Sequence, residues 1–363
     1  MSNVIQILNL TKSYRVYRKP EGVLASLRGL FHREYEQVEA VCDIQLSIQR
    51  GEFVAFLGPN GAGKTTTLKL LSGIFTPTSG SATVLGYTPW ERCNEYRRRF
   101  SLVMGQKNQL WWDLPATESF RLYQHLYRIE SQKFERNRDQ LAEMLDVQRL
   151  LERPVRELSL GERMKLELIA ALLHDPEVLF LDEPTIGLDV VAQTTVQNFL
   201  RDYQAQRHTT ILLTSHYMKD VKVLADRVVV ICRGRIIYDG SLHGMIERFG
   251  DHKILSFCCV PVENEGTNHN LTNANRCTPN HISKISIPDD QMLRRLGFSL
   301  SVSPPRFQIR VPRDEVTQVL ATLLDQYTLE DISVEDPPLE SLLTDLFATQ
   351  SGADPAMVTT EKR

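Results

Sequence analysis

Apolar residues recur along this chain in two alternating rhythms. Compact apolar runs of strand length occupy residues 4–8, 41–48, 53–57, 101–104, 178–181, 209–214 and 228–232. Between them, segments with apolar residues three and four apart predict helices near 64–72, 116–150, 159–174, 190–206 and 217–225. Strands that alternate with helices in this way predict an α/β fold. Beyond about residue 245 the rhythm changes. Residues 261–281 are rich in Asn and Thr and poor in large apolar side chains, which predicts a polar insertion within a linker over 246–283. A second unit is expected at 284–350. There Phe307 to Val311 alternates as a strand, 313–326 is helical, 329–334 is a strand and 338–347 a helix, together a small α+β accessory domain. Residues 351–363 read as a flexible tail.

Composition adds exclusions. The longest apolar runs, Val178 to Leu181 and Val228 to Cys232, are strand-sized. A membrane helix needs roughly 18 to 20 apolar residues, so no span is expected. No basic segment followed by an apolar one opens the chain, so no secretory signal is expected either. A formal charge of -3 and a pI near 6.3 give no global attraction to nucleic acid or to anionic lipid. The six cysteines, at 42, 93, 232, 258, 259 and 277, contain no C-x-x-C pair, which argues against a zinc or redox motif and for reduced thiols.

Candidate chemistry begins at Gly58-Pro59-Asn60-Gly61-Ala62-Gly63-Lys64-Thr65, a complete G-x-x-x-x-G-K-T loop between the apolar run Val54 to Leu57 and a helix. Glycines at 58, 61 and 63 let successive backbone N–H groups converge on an anion, and the following helix adds its positive N-terminal dipole. Lys64 is placed to reach the β- and γ-phosphates and the Thr65 hydroxyl to ligate Mg²⁺. This spacing points to a nucleotide triphosphatase. A second apolar strand, Val178 to Leu181, ends in Asp182 and Glu183. In that context Asp182 is expected to hold Mg²⁺ through water and Glu183 to polarise the attacking water as general base. A third, Ile211 to Leu213, leads into Thr214-Ser215-His216, where His216 is either a γ-phosphate contact or a bystander. Leu158-Ser159-Leu160-Gly161-Glu162 opens a helix with capping-box order, so Glu162 is expected to reach back to the Ser159 amide.

Together these segments resemble the ATP-binding subunit of an ABC transporter over roughly residues 3–240. Gly58 to Thr66, including Thr66, is similar to its P-loop, Leu158 to Glu162 to its signature and Val178 to Glu183 to its Walker B segment. Gln106 resembles the Q-loop glutamine, Asp189 the D-loop aspartate, His216 the switch histidine and Tyr14 the aromatic that stacks on adenine. The resemblance implies a P-loop fold with a helical signature subdomain and a head-to-tail dimer holding ATP and Mg²⁺. In that dimer Ser159 and Gly161 would touch the γ-phosphate in trans, and Gln106 would join Thr65 and Asp182 at the metal and Glu183 and His216 in catalysis. The usual signature is L-S-G-G-Q, from which Leu160 and Glu162 depart.

An insertion at about 15–40, with Val23, Leu24, Leu27, Leu30 and Phe31 on one helical face, is open to two readings: a membrane or permease contact, or a helix packed on its own domain. Trp111 and Trp112 likewise read as a socket for a permease helix or as core. The insertion, the Trp-Trp-Asp-Leu-Pro segment and the C-terminal domain resemble ATPases of ABC-2 type exporters. That implies an integral-membrane permease partner, a second ATP-binding subunit and a place on the cytoplasmic face of the membrane, with no nucleic-acid partner. The competing class, a soluble ABC ATPase of ribosomes or DNA, is disfavoured because the chain has neither a second P-loop nor sustained heptads between Lys64 and Ser159.

Overall fold

The computed structural model describes residues 3–17, 35–105, 107–215, 218–259, 297–303 and 306–351, and the architecture below is that of these residues. They fall into two compact units, Met1–Leu242 and His243–Arg363.

The first unit runs β1 (Asn3–Tyr17), β2 (Tyr35–Gln49), β3 (Phe53–Leu57), α1 (Lys64–Leu71), β4 (Ser79–Val84), α2 (Asn94–Arg97) and β5 (Phe100–Met104). It continues through α3 (Ala116–Tyr127), α4 (Ser131–Met144), α5 (Leu160–Leu172), β6 (Val178–Asp182), α6 (Val190–Arg207), β7 (Thr210–Thr214), α7 (Met218–Leu224), β8 (Arg227–Cys232) and β9 (Arg235–Ser241). Six strands form one sheet in the order β5-β6-β7-β3-β8-β9, parallel except for the β8–β9 hairpin. An antiparallel sheet, β2-β1-β4, stands beside it. All five residues of β3 and of β7 are buried, as expected for parallel strands covered on both faces. On one face, Val54, Phe56, Phe180, Leu212 and Val229 join Ile5, Ile7 and Ile44 of the antiparallel sheet and Leu68 and Leu71 of α1 in a single core. Helices α3 and α4 pack on α5 and make the helical portion of the unit.

Register is what positions the chemistry. Phe56 pairs with Thr214, Asp182 with Thr214 and Met104 with Asp182, so β3, β5, β6 and β7 end on one edge of the sheet. Loops leaving the carboxyl ends of parallel strands line the crevice where such sheets bind ligands.

Several expectations are modified. The helical stretch expected over 116–150 divides where Arg128 takes a left-handed φ of 55°, closing α3 before α4 begins. Strands β1 and β2 extend into the 15–40 insertion as far as Tyr17 and from Tyr35, while its apolar residues 23–31 lie outside the described residues. Edge strand β4 carries mostly small and polar residues, and edge strand β9 has only the short run Ile236 to Tyr238 among polar residues, so neither had a readable apolar period.

The second unit contains β10 (His252–Cys259), β11 (Phe298–Ser303), β12 (Arg306–Pro312), α9 (Val316–Gln326), β13 (Leu329–Glu335) and α10 (Leu339–Ser351), preceded by α8 (Leu242–Phe249) at the boundary. Its antiparallel sheet has the order β11-β12-β10-β13. Alternate residues Leu255, Phe257, Cys259, Phe307, Ile309 and Val311 share one buried face with Val319 and Leu323 of α9. This corrects the expected linker: β10 lies inside 246–283 yet is an inner strand of the sheet, so the polar stretch begins only after Cys259. Residues 260–296 and the tail from 352 lie outside the described residues.

Candidate nucleotide site

The loop from Gly58 to Gly63 joins the end of β3 to the start of α1. Gly63 has φ 108°, and a Cβ there would lie 2.3 Å from the Ala40 carbonyl oxygen, so this turn excludes a side chain on two counts. Pro59, Asn60 and Gly61 form an exposed rim, and Gly58, Ala62 and Lys64 are buried. The first turn of α1 carries no acidic residue, which leaves its N-terminal field for an external anion. Lys64 Nζ curls over the loop and donates to the carbonyls of Gly58 at 2.7 Å and Pro59 at 3.1 Å. Burial pushes the Lys64 ammonium below the ordinary lysine range, and Glu183 and Asp182 pull it back up. The same two acids therefore share its electrostatic field.

Thr65 Oγ1 donates to Asp182 Oδ1 at 2.9 Å. Thr214 Oγ1 donates to that oxygen at 2.7 Å. Among the described residues no group of three or more His, Cys, Asp or Glu is placed to cage a metal. A threonine hydroxyl and a carboxylate are hard oxygen donors, and the pair fits Mg²⁺, which keeps waters and takes phosphate ligands. Next to Asp182, Glu183 adopts a left-handed φ of 53°, a conformation that costs a non-glycine residue on the order of 1 kcal/mol. Its N–H donates to the Thr214 carbonyl at 3.1 Å and to Thr214 Oγ1 at 3.2 Å.

At the start of α5, Ser159 is the N-cap. Glu162 Oε2 accepts from the Ser159 N–H and from its hydroxyl, both at 2.9 Å, while the Glu162 N–H donates to Ser159 Oγ at 3.2 Å. The capping box is complete and Glu162 turns back as expected. The Ser159 amide bond, with help from its hydroxyl and from Arg153 and Arg149, holds the Glu162 carboxyl below the usual carboxylate range. Gly161 permits a close helix approach: a Cβ there would meet the Ala192 Cβ of α6 at 2.7 Å. Asp189 caps α6, its Oδ1 accepting from the Ala192 N–H at 2.8 Å. Tyr14 meets Phe75 edge-on at 5.9 Å, with Lys12 Nζ 5.3 Å from its ring centre. Thr66 lies half-buried beside Thr65 on α1. Gln106 and His216 lie outside the described residues.

Trp111 and Trp112 are each 47% exposed, which removes the reading as core. The Arg163 guanidinium stands 5.3 Å from the Trp112 ring. Sequence reasoning missed Thr214, whose signal was a polar residue at the end of an otherwise apolar strand.

A phosphate-type loop at the end of a central parallel strand, with the aspartate that ends β6, one strand removed across β7, at its threonine, defines a P-loop nucleotide triphosphatase. A family model described as ABC transporter matches residues 41–186, and one described as EvrA-like ABC transporter, C-terminal domain, matches residues 284–335. The chain is 32% identical over 217 residues to the ABC transporter ATP-binding protein NatA of Bacillus subtilis, covering 60% of this chain and 88% of that protein. It is 37% identical over 232 residues to the Nod factor export ATP-binding protein I of Cupriavidus pinatubonensis, covering 63% and 71%. A solved structure described as the ATP binding subunit of an ABC transporter superposes with a TM-score of 0.56 at 25% identity, over 68% of this chain and 93% of that one. The chain belongs to the ABC transporter family, as an ATP-binding and ATP-hydrolysing subunit.

Proposed function

We propose that this chain hydrolyses ATP with Mg²⁺ in a head-to-tail dimer and so drives an ABC-2 type export permease from the cytoplasmic face of the membrane. The observation that carries the chemical part is the meeting of Lys64, Thr65 and Asp182, with Thr65 and Asp182 2.9 Å apart and Lys64 buried between loop carbonyls.

In this reading the loop amides and Lys64 bind the β- and γ-phosphates. Thr65, Asp182 and Gln106 would hold Mg²⁺, which supplies charge neutralisation on the phosphate oxygens. Glu183 takes a proton from the water that attacks the γ-phosphorus, and the ADP oxygen leaves. His216 would orient that water or the γ-phosphate. Ser159 and Gly161 of a second subunit complete the site, and Tyr14 and Asp189 border it. Closure with ATP and reopening after hydrolysis transmit force, because the two states bind nucleotide with different affinity. Export and the ABC-2 branch rest on the resemblance and on relatives named for export. The half-exposed Trp111, Trp112 and Leu114 support a permease helix docking beside the nucleotide edge. Among the described residues no helix is long and apolar enough to cross a membrane.

Lys64→Ala is expected to weaken ATP binding by about 100-fold, roughly 2.7 kcal/mol. Glu183→Gln is expected to bind ATP, lose turnover and accumulate as a closed dimer in size-exclusion chromatography. Wild-type turnover in Glu183→Gln would remove Glu183 as the base. Purification from solubilised membranes should recover a multi-spanning membrane protein with the chain, and recovery of ribosomes or DNA in its place would favour the soluble class.

A further inference from the structure

Asp220, on α7, is wholly buried, and its carboxylate gathers donors from three separate segments. Oδ1 accepts from the side-chain amides of Gln193 at 2.8 Å and Gln197 at 2.6 Å, one turn apart on α6. Oδ2 accepts from the hydroxyls of Thr185 and, at 3.2 Å, Ser215. A carboxylate can accept all four of these bonds without presenting a hydrogen of its own. The placement of the donors is the informative part. Thr185 lies two residues beyond Glu183, and Ser215 directly follows Thr214, which binds both Asp182 and the Glu183 N–H. Chain and hydrogen bonds thus close a ring: Glu183, Pro184, Thr185, Asp220, Ser215, Thr214 and back to Glu183. Inside that ring sits the left-handed backbone of Glu183, a conformation that persists only where its surroundings over-determine it.

We propose that Asp220 is a positioning residue for ATP hydrolysis, holding the backbone that carries Glu183 in register with the end of β7 and with the N-terminal turns of α6. The proposal rests on the reading of Glu183 as general base. Asp220 touches neither nucleotide nor water in this account. It acts by tying Thr185 and Ser215 to one oxygen atom, Oδ2, so that neither segment moves without the other, while Gln193 and Gln197 hold the other oxygen, Oδ1, and so anchor the carboxylate to the helix capped by Asp189.

The test is steady-state ATPase kinetics of the full chain beside binding of a fluorescent ATP analogue. Asp220→Ala is expected to lower kcat by at least about tenfold while nucleotide affinity stays within about threefold, a split that general unfolding does not produce. Asp220→Asn should restore kcat to within about threefold of wild type, because the amide oxygen still accepts from the glutamines and its NH2 donates to the two hydroxyls, which rotate to accept. Thr185→Val and Ser215→Ala should each lower kcat about three- to tenfold, and the double variant should be no worse than the weaker single one, since either change opens the same ring. Should Asp220→Ala fail to fold, the Thr185 and Ser215 cycle decides alone. Unchanged kcat in these variants, equal losses of kcat and affinity, or additive effects of Thr185→Val and Ser215→Ala would each overturn the proposal. Glu183→Gln run in parallel separates the two failures. If it turns over at the wild-type rate, the reading of the base is wrong; if it is inactive while the Asp220 variants are normal, only the positioning role is wrong.

Discussion

Glu162 replaces the glutamine of the usual signature, and the two bonds it accepts from Ser159 direct its charge onto the start of its own helix. Glutamine keeps an acceptor for the Ser159 amide, so Glu162→Gln is expected to hold ATPase activity within about tenfold, or about 1.4 kcal/mol, of wild type. A larger loss in steady-state turnover would mean that the carboxylate has a part in the site. Because its folded pKa is lowered, the cap's ionic contribution is present above the ordinary carboxylate pKa of 4.5 and is lost as pH falls through the lower folded value. At this scale much of the candidate site was legible. Lys64, Thr65, Asp182, Glu183, Ser159 and Glu162 each belong to a short motif whose chemistry is local. Thr214 and Asp220 were not legible, because their partners stand on other strands and helices and no spacing in the chain announces a contact made across a sheet.

Helix α5 has the same property on its inner face. Its apolar period was readable, but Glu167 falls within it, 3% exposed, beside a cavity of about 380 Å³ that Lys107, Asn108, Arg163 and Met164 also line. Among the described residues Glu167 Oε2 has no hydrogen-bond partner, and burial raises the carboxyl from 4.5 to about 7 against the Gln109 amide and Arg163, which lower it. Here the sign runs opposite to the usual acid. The folded state holds its proton more tightly than the unfolded chain, so the contribution of this one group to stability is greatest below about pH 4.5 and declines by roughly 3 kcal/mol as pH rises from there to about 7. Glu167→Gln is expected to raise the melting temperature at pH 8 and leave it nearly unchanged at pH 5. Equal shifts at both pH values would show that the buried charge is not the cause. Elements with a strong apolar period, such as β3, β6, β7 and α5, stand where the sequence placed them. Edge strands β4 and β9 did not announce themselves, because one strand face and one free edge need few apolar residues.

Each unit of the molecule carries its own core, one built on Val54, Phe56, Ile44 and Leu68, the other on Leu255, Phe257, Ile309 and Leu323. The fragment 1–250 is therefore expected to melt cooperatively and to bind ATP with the affinity of the full chain; aggregation or loss of nucleotide binding would show that the first unit depends on the second. What the sequence determined by itself was the class of chemistry and the α/β rhythm, because a phosphate loop and a strand ending in paired acids are written in consecutive residues. Tertiary structure decided the rest. Parallel pairing of β3, β6 and β7 brought Thr65, Asp182 and Thr214 to one oxygen atom, and burial of Asp220 joined the segment after β6, helix α6 and the end of β7 at one carboxylate. It also drew β10 out of an expected linker into an inner position of the second sheet. Hydrogen bonds and burial depend on neighbours in space, and only the folded chain says which neighbours those are.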